Sequence, residues 1–307
     1  MAIVLALLTG ALYALSNYAM RRSIDGGGAT SAFIVVQMFS AALAAVFFNP
    51  IWAGDYAFNT PLAMFGLGAG VLLAILLFTL GKAIEKGPPG FTFAVLNSAA
   101  VFPGLIMAIA FGAAFGFLYN AWHAVGSIVV IIGLFLGARG MAKIQDFKGW
   151  WSFSAIMFSM NIAIFVLLQF RAMLINVPHP EEIVSFFTSV GIRSQWFIPL
   201  YYLGAALTQS LIFFPSEKRL PQKREITSGL LGGIANSAGT FCLIRSTEAA
   251  TGLENAVIFP ILSVTTIILS NLWGQQLYKE RVNWFACAVC VVGLIIGTVE
   301  WSVIFSG

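Results

Sequence analysis

Apolar residues along the chain gather into ten runs, each close to the roughly 20 residues that cross about 30 Å of hydrocarbon, separated by short polar or glycine- and proline-bearing segments. The runs cover 2–20, 31–48, 62–80, 91–111, 122–138, 150–170, 196–214, 226–244, 252–275 and 282–299. This pattern predicts an all-α integral membrane protein with ten transmembrane helices. Only 112–119 interrupts the uncharged stretch 87–122, which is too long for one tilted span, so two helices are expected there. The run 2–20 lacks a positive leading region and is followed by Arg21 and Arg22, so it reads as a first span, not a cleaved signal.

Within this pattern one segment is written twice. Residues 96–105, Leu-Asn-Ser-Ala-Ala-Val-Phe-Pro-Gly-Leu, return at 253–262 as Leu-Glu-Asn-Ala-Val-Ile-Phe-Pro-Ile-Leu. Other landmarks recur in step: Gly66, Gly70, Lys82 and Glu85 with Gly229, Gly233, Arg245 and Glu248; Gly133 and Gly137 with Gly293 and Gly297; Asn17 with Asn161. The chain therefore divides into two five-helix repeats, 1–148 and 149–307. An odd number of spans per repeat makes the second copy enter from the opposite side, so the repeats are inverted.

Composition agrees. Hydrophobic residues make up 59% of the 307 and charged residues 9%, with mean hydropathy +0.91, too little polar surface for a soluble fold. The net charge of +4 lies in loop clusters, which speaks against a nucleic-acid partner and for a lipid bilayer. Arg21, Arg22, Lys82, Lys86, Arg139, Lys143, Lys148, Lys218, Arg219, Lys223, Arg224, Lys279 and Arg281 fall on one side, against Arg171, Arg193 and Arg245 on the other. Both termini are therefore expected outside, in a membrane of the bacterial inner (plasma) type. The loop 174–193 is then external, and Pro180 followed by Ile183, Phe186, Phe187 and Val190 reads either as a short interfacial helix or as a solvated loop.

Candidate chemistry is sparse. Nucleotide-phosphate and HExxH motifs are absent, so no enzyme, metal or cofactor is expected, and any transport would draw on a solute or ion gradient. Cys242, Cys287 and Cys290 sit inside apolar runs and read as packing residues. Polar groups inside spans persist where a partner or wet cavity exists. The expected substrate-cavity residues are Asn17, Asn97, Ser98, Asn161, Asn236, Glu254 and Asn255. Glu254 either contacts a proton or cation, or closes a capping box with Thr251. Tyr13, Gln37, Tyr201, Tyr202 and Gln209 lie on neighbouring spans, the tyrosines reading as interfacial anchors. Lys82 with Glu85 and Arg245 with Glu248 are spaced for surface pairing; a base facing the cavity instead would favour anions. The four Gly-x-x-x-Gly pairs are assigned to helix packing, and Pro103 and Pro260 are expected to kink their spans, as paired hinges or as shaped walls.

The two tandem repeats, each with a mid-span proline, a short connection (Leu-Tyr-Lys-Glu-Arg at 277–281) and a glycine-bearing last helix, resemble the drug/metabolite transporter superfamily in its ten-helix, EamA-like branch. The first repeat departs from that pattern at Leu118-Tyr119-Asn120-Ala121, which lacks the acidic residue often found in this connection. The resemblance implies a central cavity walled by the first four helices of each half, peripheral fifth and tenth helices, and ATP-independent alternating access for small metabolites. A membrane-embedded enzyme and a lipid-handling or structural membrane protein are the competing classes.

Overall fold

The computed structural model describes residues 1–87, 89–137, 146–279 and 282–298, with the side chains of 89–91 and 278 excepted. Arg139, Lys143 and Arg281, counted above for orientation, lie outside the described residues. The described residues are helical throughout, with no strand: α1 Ala2–Asp25, α2 Thr30–Val46, α3 Thr60–Lys86, α4 Pro89–Ser98, α5 Phe102–Ala110, α6 Ala121–Gly137, α7 Phe147–Asn176, α8 Phe197–Glu217, α9 Lys223–Ala249, α10 Ile258–Tyr278 and α11 Trp284–Thr298. Among them seven segments are long and apolar enough to cross a membrane, the broken α4–α5 segment counting as one; α6 and α11 are apolar but shorter. At 27 residues, α9 is long enough, yet it alternates glycine with serine, threonine and asparagine. Seven long apolar helices make this an integral membrane protein.

Helices satisfy their own backbone, the condition for residence in lipid, and their hydroxyls follow suit. Thr9, Thr79, Thr208, Ser210 and Thr266 each donate to the carbonyl four residues back at 2.7–2.8 Å. Leu43, Ile109 and Leu211 present large apolar side chains outward, as lipid-facing positions must.

Both copies of the duplicated segment interrupt their helix at the same place. A 3₁₀ turn, Ala99–Val101, separates α4 from α5, and another, Glu254–Ala256, precedes α10. The cause is the proline: its ring excludes the carbonyl four residues earlier, Ala99 for Pro103 and Ala256 for Pro260, and it offers no N–H. The ninth span thus starts as an α-helix only at Ile258, not at 252. In the first copy an α-helix leads into the break; in the second, 250–253 is loop. The two breaks face each other, since a Cβ on Gly104 would lie 2.8 Å from Ala256 Cα.

Packing runs across the halves. Helix α1 lies on α9 and α10, as α7 lies on α3 and α4–α5; α3 crosses α8 as α9 crosses α2; α2 meets α8, and α6 meets α11. Glycines make these crossings. A Cβ on Gly70 would lie 2.1 Å from the Tyr201 carbonyl oxygen, and one on Gly233 would lie 2.4 Å from that of Gln37. Gly126 and Gly293 bring α6 and α11 together in the same way, a Cβ on Gly126 lying 2.5 Å from Gly293 O.

The loop 174–193 differs from the interfacial-helix expectation. Helix α7 runs on to Asn176, and the rest forms 3₁₀ turns at Pro180–Glu182 and Gly191–Arg193. Phe187 is buried against Phe65 at a 5.7 Å ring separation, while Phe186 and Val190 stay exposed. One anchoring ring gains more here than an exposed amphipathic turn.

Candidate functional site

A charged cluster sits where α7 and α9 end side by side. Arg171, in the penultimate turn of α7, donates from Nη1 to Glu248 Oε1 at 2.8 Å, and Arg245 donates to the other oxygen of Glu248 at 2.9 Å. The Arg171 and Glu248 side chains are only 7% and 14% exposed. Such burial costs several kcal/mol per ion unless each is paired, and here the guanidinium groups are also supported by rings. Arg171 lies 4.8 Å from the Phe197 centroid and Arg245 5.4 Å from that of Phe241. A cavity of about 210 Å³ opens against these residues and is further lined by Arg193, Asp55, Asn49 and Ser194. A second cavity, about 490 Å³, shares Glu248 and is walled by Gln169, Asn255 and the turn around Gly116. Both lie at the end of the bundle that holds the N-terminus, because Ser246 Oγ donates to Ala2 O at 2.8 Å.

Deeper in the bundle a polar seam continues along α9. Asn236, Thr240, Ile244 and Glu248 are four residues apart and share one helical side. The Thr240 hydroxyl pairs with Tyr13 at 2.7 Å and with Tyr202, whose hydroxyl also reaches the Asn236 carbonyl at 3.1 Å and the Asn236 side-chain oxygen. One turn further, Ser16 donates to Gly232 O at 2.9 Å and itself accepts from Gln37 at 2.7 Å. Ser237 Oγ is buried with no partner among the described residues. The seam exists because Gly229, Gly232 and Gly233 let α1 and α2 approach close enough for short hydroxyls to span the gap.

The seven residues expected to share a cavity do not share one place. Asn97 and Ser98 donate back along their own helix to Phe93 O and Val95 O, each at 2.8 Å. Asn161 ties α7 to the same stretch by donating to Leu96 O at 2.9 Å. Asn236 belongs to the seam. Asn255 lines the larger cavity, donates to Gly116 O at 2.9 Å and offers its own carbonyl to Gln169 at 2.7 Å. Asn17 is half-buried on α1 and makes no side-chain hydrogen bond among the described residues. Glu254 takes the capping alternative: its carboxylate accepts the Thr251 N–H at 2.9 Å, and the Glu254 N–H returns to the Thr251 hydroxyl at 3.4 Å. Lys82 and Glu85 form the exposed pair expected of them at 2.8 Å, whereas in the matching pair Arg245 is exposed but Glu248 is drawn in against the buried Arg171.

The tyrosines and Arg171 were the residues that sequence reasoning undervalued. Tyr202 is fully buried, not an interfacial anchor. Arg171 lies one residue past an apolar run that the helix outlasts by two turns, so it had read as a loop base. The four-residue recurrence ending on Glu248 was the available signal.

At the opposite end, Glu225, ahead of the apolar stretch of α9, accepts both Nη groups of Arg219 at 2.8–2.9 Å and the N–H groups of Gln222 and Ala29 at 2.6–2.7 Å. Arg219 above all, with those amides, holds its carboxyl down at about 2, and in return Arg219 is pushed up. A carboxyl depressed in the folded state contributes stability that is complete above the unfolded value of about 4.3 and is lost as pH falls toward 2. Wild type should therefore lose on the order of 2–3 kcal/mol between pH 6 and pH 2.5 from this group, and thermal unfolding of Glu225→Gln across that range should show a correspondingly flatter profile. Lys86 and Asp146 close the same end at 2.7 Å, and the Lys86 bond lowers the Asp146 carboxyl. Asp146 also caps α7 through the Gly149 N–H at 3.0 Å.

No family model matches the chain, and no curated protein does. Among solved structures, one crystal structure superposes with a TM-score of 0.71 over 97% of this chain and 98% of its own length, at 15% identity. At that identity the likeness shows the fold alone: the whole helical arrangement, end to end, is one that occurs in a crystal structure.

Proposed function

We propose that this protein is a secondary transporter of a small polar metabolite, built as two inverted five-helix repeats with ten spans, in the manner of the EamA-like drug/metabolite transporters. It works in a bacterial inner membrane with both termini outside, needs no cofactor, and acts on a solute, not a nucleic acid. The observation that carries this reading is α9: a long polar helix held between α1 and α2, whose seam leads from the charged cavity into the middle of the bundle. A structural or lipid-handling protein has no use for such a seam, because each polar group in it must be matched or stay unpaired at a cost, as Ser237 Oγ does.

Two further features support the reading. The largest packing contacts between helices, α7 with α9 excepted, have counterparts five spans away, as a pseudo-twofold axis in the membrane plane requires. The paired 3₁₀ breaks before Pro103 and Pro260 place unwound backbone from each half face to face. Solute enters from the N-terminal end, the tyrosine–threonine–asparagine network exchanges its internal hydrogen bonds for bonds to the solute, and the halves rock to open the end now tied by the Ala29 N–H to Glu225 and by Arg224 to Gly26 O. The driving energy comes from a solute or ion gradient.

Uptake into proteoliposomes tests this. In a background whose three cysteines are replaced by alanine, Asn236→Cys should react with a water-borne thiol reagent, and solute should protect it. Tyr202→Phe combined with Thr240→Val should lower uptake by about tenfold or more, two hydrogen bonds being worth roughly 1–3 kcal/mol, with little change in oligomeric profile. Failure of the Asn236→Cys variant to react, together with no flux of any solute in a broad panel, would overturn the proposal.

A further inference from the structure

We propose that the cavity bordered by Arg171, Arg193 and Arg245 is a binding subsite for the carboxylate of a small, singly charged organic acid or amino acid. The inference deepens the transport reading, since a site at the mouth of the seam selects what enters it.

Charge balance is the first argument. Three guanidinium groups border the cavity against two carboxylates, Glu248 and Asp55, so one positive charge is in excess. Both carboxylates are already engaged. Glu248 commits one oxygen to Arg171 and the other to Arg245, and Asp55 turns back to the Ala57 N–H at 3.0 Å. Arg193 reaches the end of α7, donating to Ile175 O at 2.8 Å, which uses one of its five N–H groups.

The second argument is an unmet donor. Arg171 is nine-tenths buried, and its Nε–H has no partner among the described residues, a deficit that costs about 1–3 kcal/mol or more for a charged group. A guanidinium resting on an aromatic face is held in plane; Arg171 spends Nη1 on Glu248, Nη2 lies 3.4 Å from Ile192 O, and Nε is left as the unmatched donor. A carboxylate supplies two acceptor oxygens for guanidinium donors. The excess of a single charge, with Glu248 already in place, disfavours a doubly charged phosphate. Asn49, Ser194 and Gln195 provide uncharged polar walls for the rest of the molecule, and about 210 Å³ holds a molecule of a few heavy atoms.

The experiment is thermal unfolding of the full-length protein in nanodiscs of zwitterionic lipid, against a panel of small hydroxy-, keto- and amino acids. Each is paired with its amide, with inorganic phosphate and phosphatidylglycerol as separate arms. At least one acid should raise Tm, its amide should not, and Arg193→Gln should weaken that acid about tenfold or more, as loss of a charged hydrogen bond predicts. Arg193 is exposed and its replacement gives up one hydrogen bond, to Ile175 O, a small loss that the thermal baseline of the variant reads directly. Arg171→Gln with Glu248→Gln, which removes the pair together, should abolish the response. Stabilisation by no acid, equal stabilisation by the amides, unchanged binding in the variants, or a response only to phosphate or to phosphatidylglycerol would each overturn the assignment. Flux of neutral or cationic solutes in proteoliposomes without acid binding would sink the subsite and leave the transporter. Acid binding without flux of any solute would do the reverse.

Discussion

Glu248→Ala should destabilise the protein by on the order of 3–5 kcal/mol, the cost of stripping one partner from a buried ion pair. Arg171 would keep its charge at 7% exposure with Phe197 on one face and no other ion pair among the described residues. The loss comes mostly from that stranded charge, which leads to a second expectation. Arg171→Gln with Glu248→Gln should recover most of the stability, because two amides bury far more cheaply than one lone ion. The sequence supplies an internal control. Glu85, which aligns with Glu248 in the recurring pattern, pairs with Lys82 at side-chain exposures of 63% and 39%, so Glu85→Ala should cost well under about 1 kcal/mol. Equal effects at Glu85 and Glu248 in thermal unfolding would show that burial does not distinguish the two pairs.

Gly70→Val should prevent accumulation of folded protein. A Cβ there would sit 2.1 Å from Tyr201 O and 2.8 Å from Ala205 N, both backbone atoms of α8 that no rotamer change can move. Relief requires parting α3 from α8, at more than about 3 kcal/mol for a buried overpacked contact. It would also pull Tyr202 from Thr240 and Asn236, one residue along from the point of contact. Gly68→Ala, two residues away on α3, meets nothing within 4 Å and should be neutral or mildly stabilising. Monodispersity on size-exclusion chromatography separates the two outcomes, and a well-folded Gly70→Val would mean that α3 and α8 do not cross at that point.

The sequence of apolar runs determined the membrane class and where helices lie, to within a turn or two. Lipid leaves no alternative: each span must be long, apolar and self-bonded, so length and composition alone mark it. Helix α9 is the instructive exception, polar along the side packed on α1 and α2 and apolar where Ile226, Leu230, Leu231 and Ile234 stay exposed. Spacing identified Gly66, Gly70, Gly229 and Gly233 as packing residues, since two glycines one turn apart on a helix can only make a groove. The prolines fixed the two breaks through covalent geometry, which is local.

Partners were another matter. Periodicity says which side of a helix a residue occupies, but not which helix lies across from it. Asn97 and Ser98 looked like cavity residues and turn out to bond their own backbone. Thr251 and Glu254 carried both a capping and a functional reading until the chain before α10 proved to be loop. Arg171 and Glu248 are 77 residues apart in the chain, and nothing local in either marks the other. Only the crossing of α7 with α9, set by side-chain packing over the whole bundle, brings their charges together, and a buried charge has meaning only once its neighbours are known.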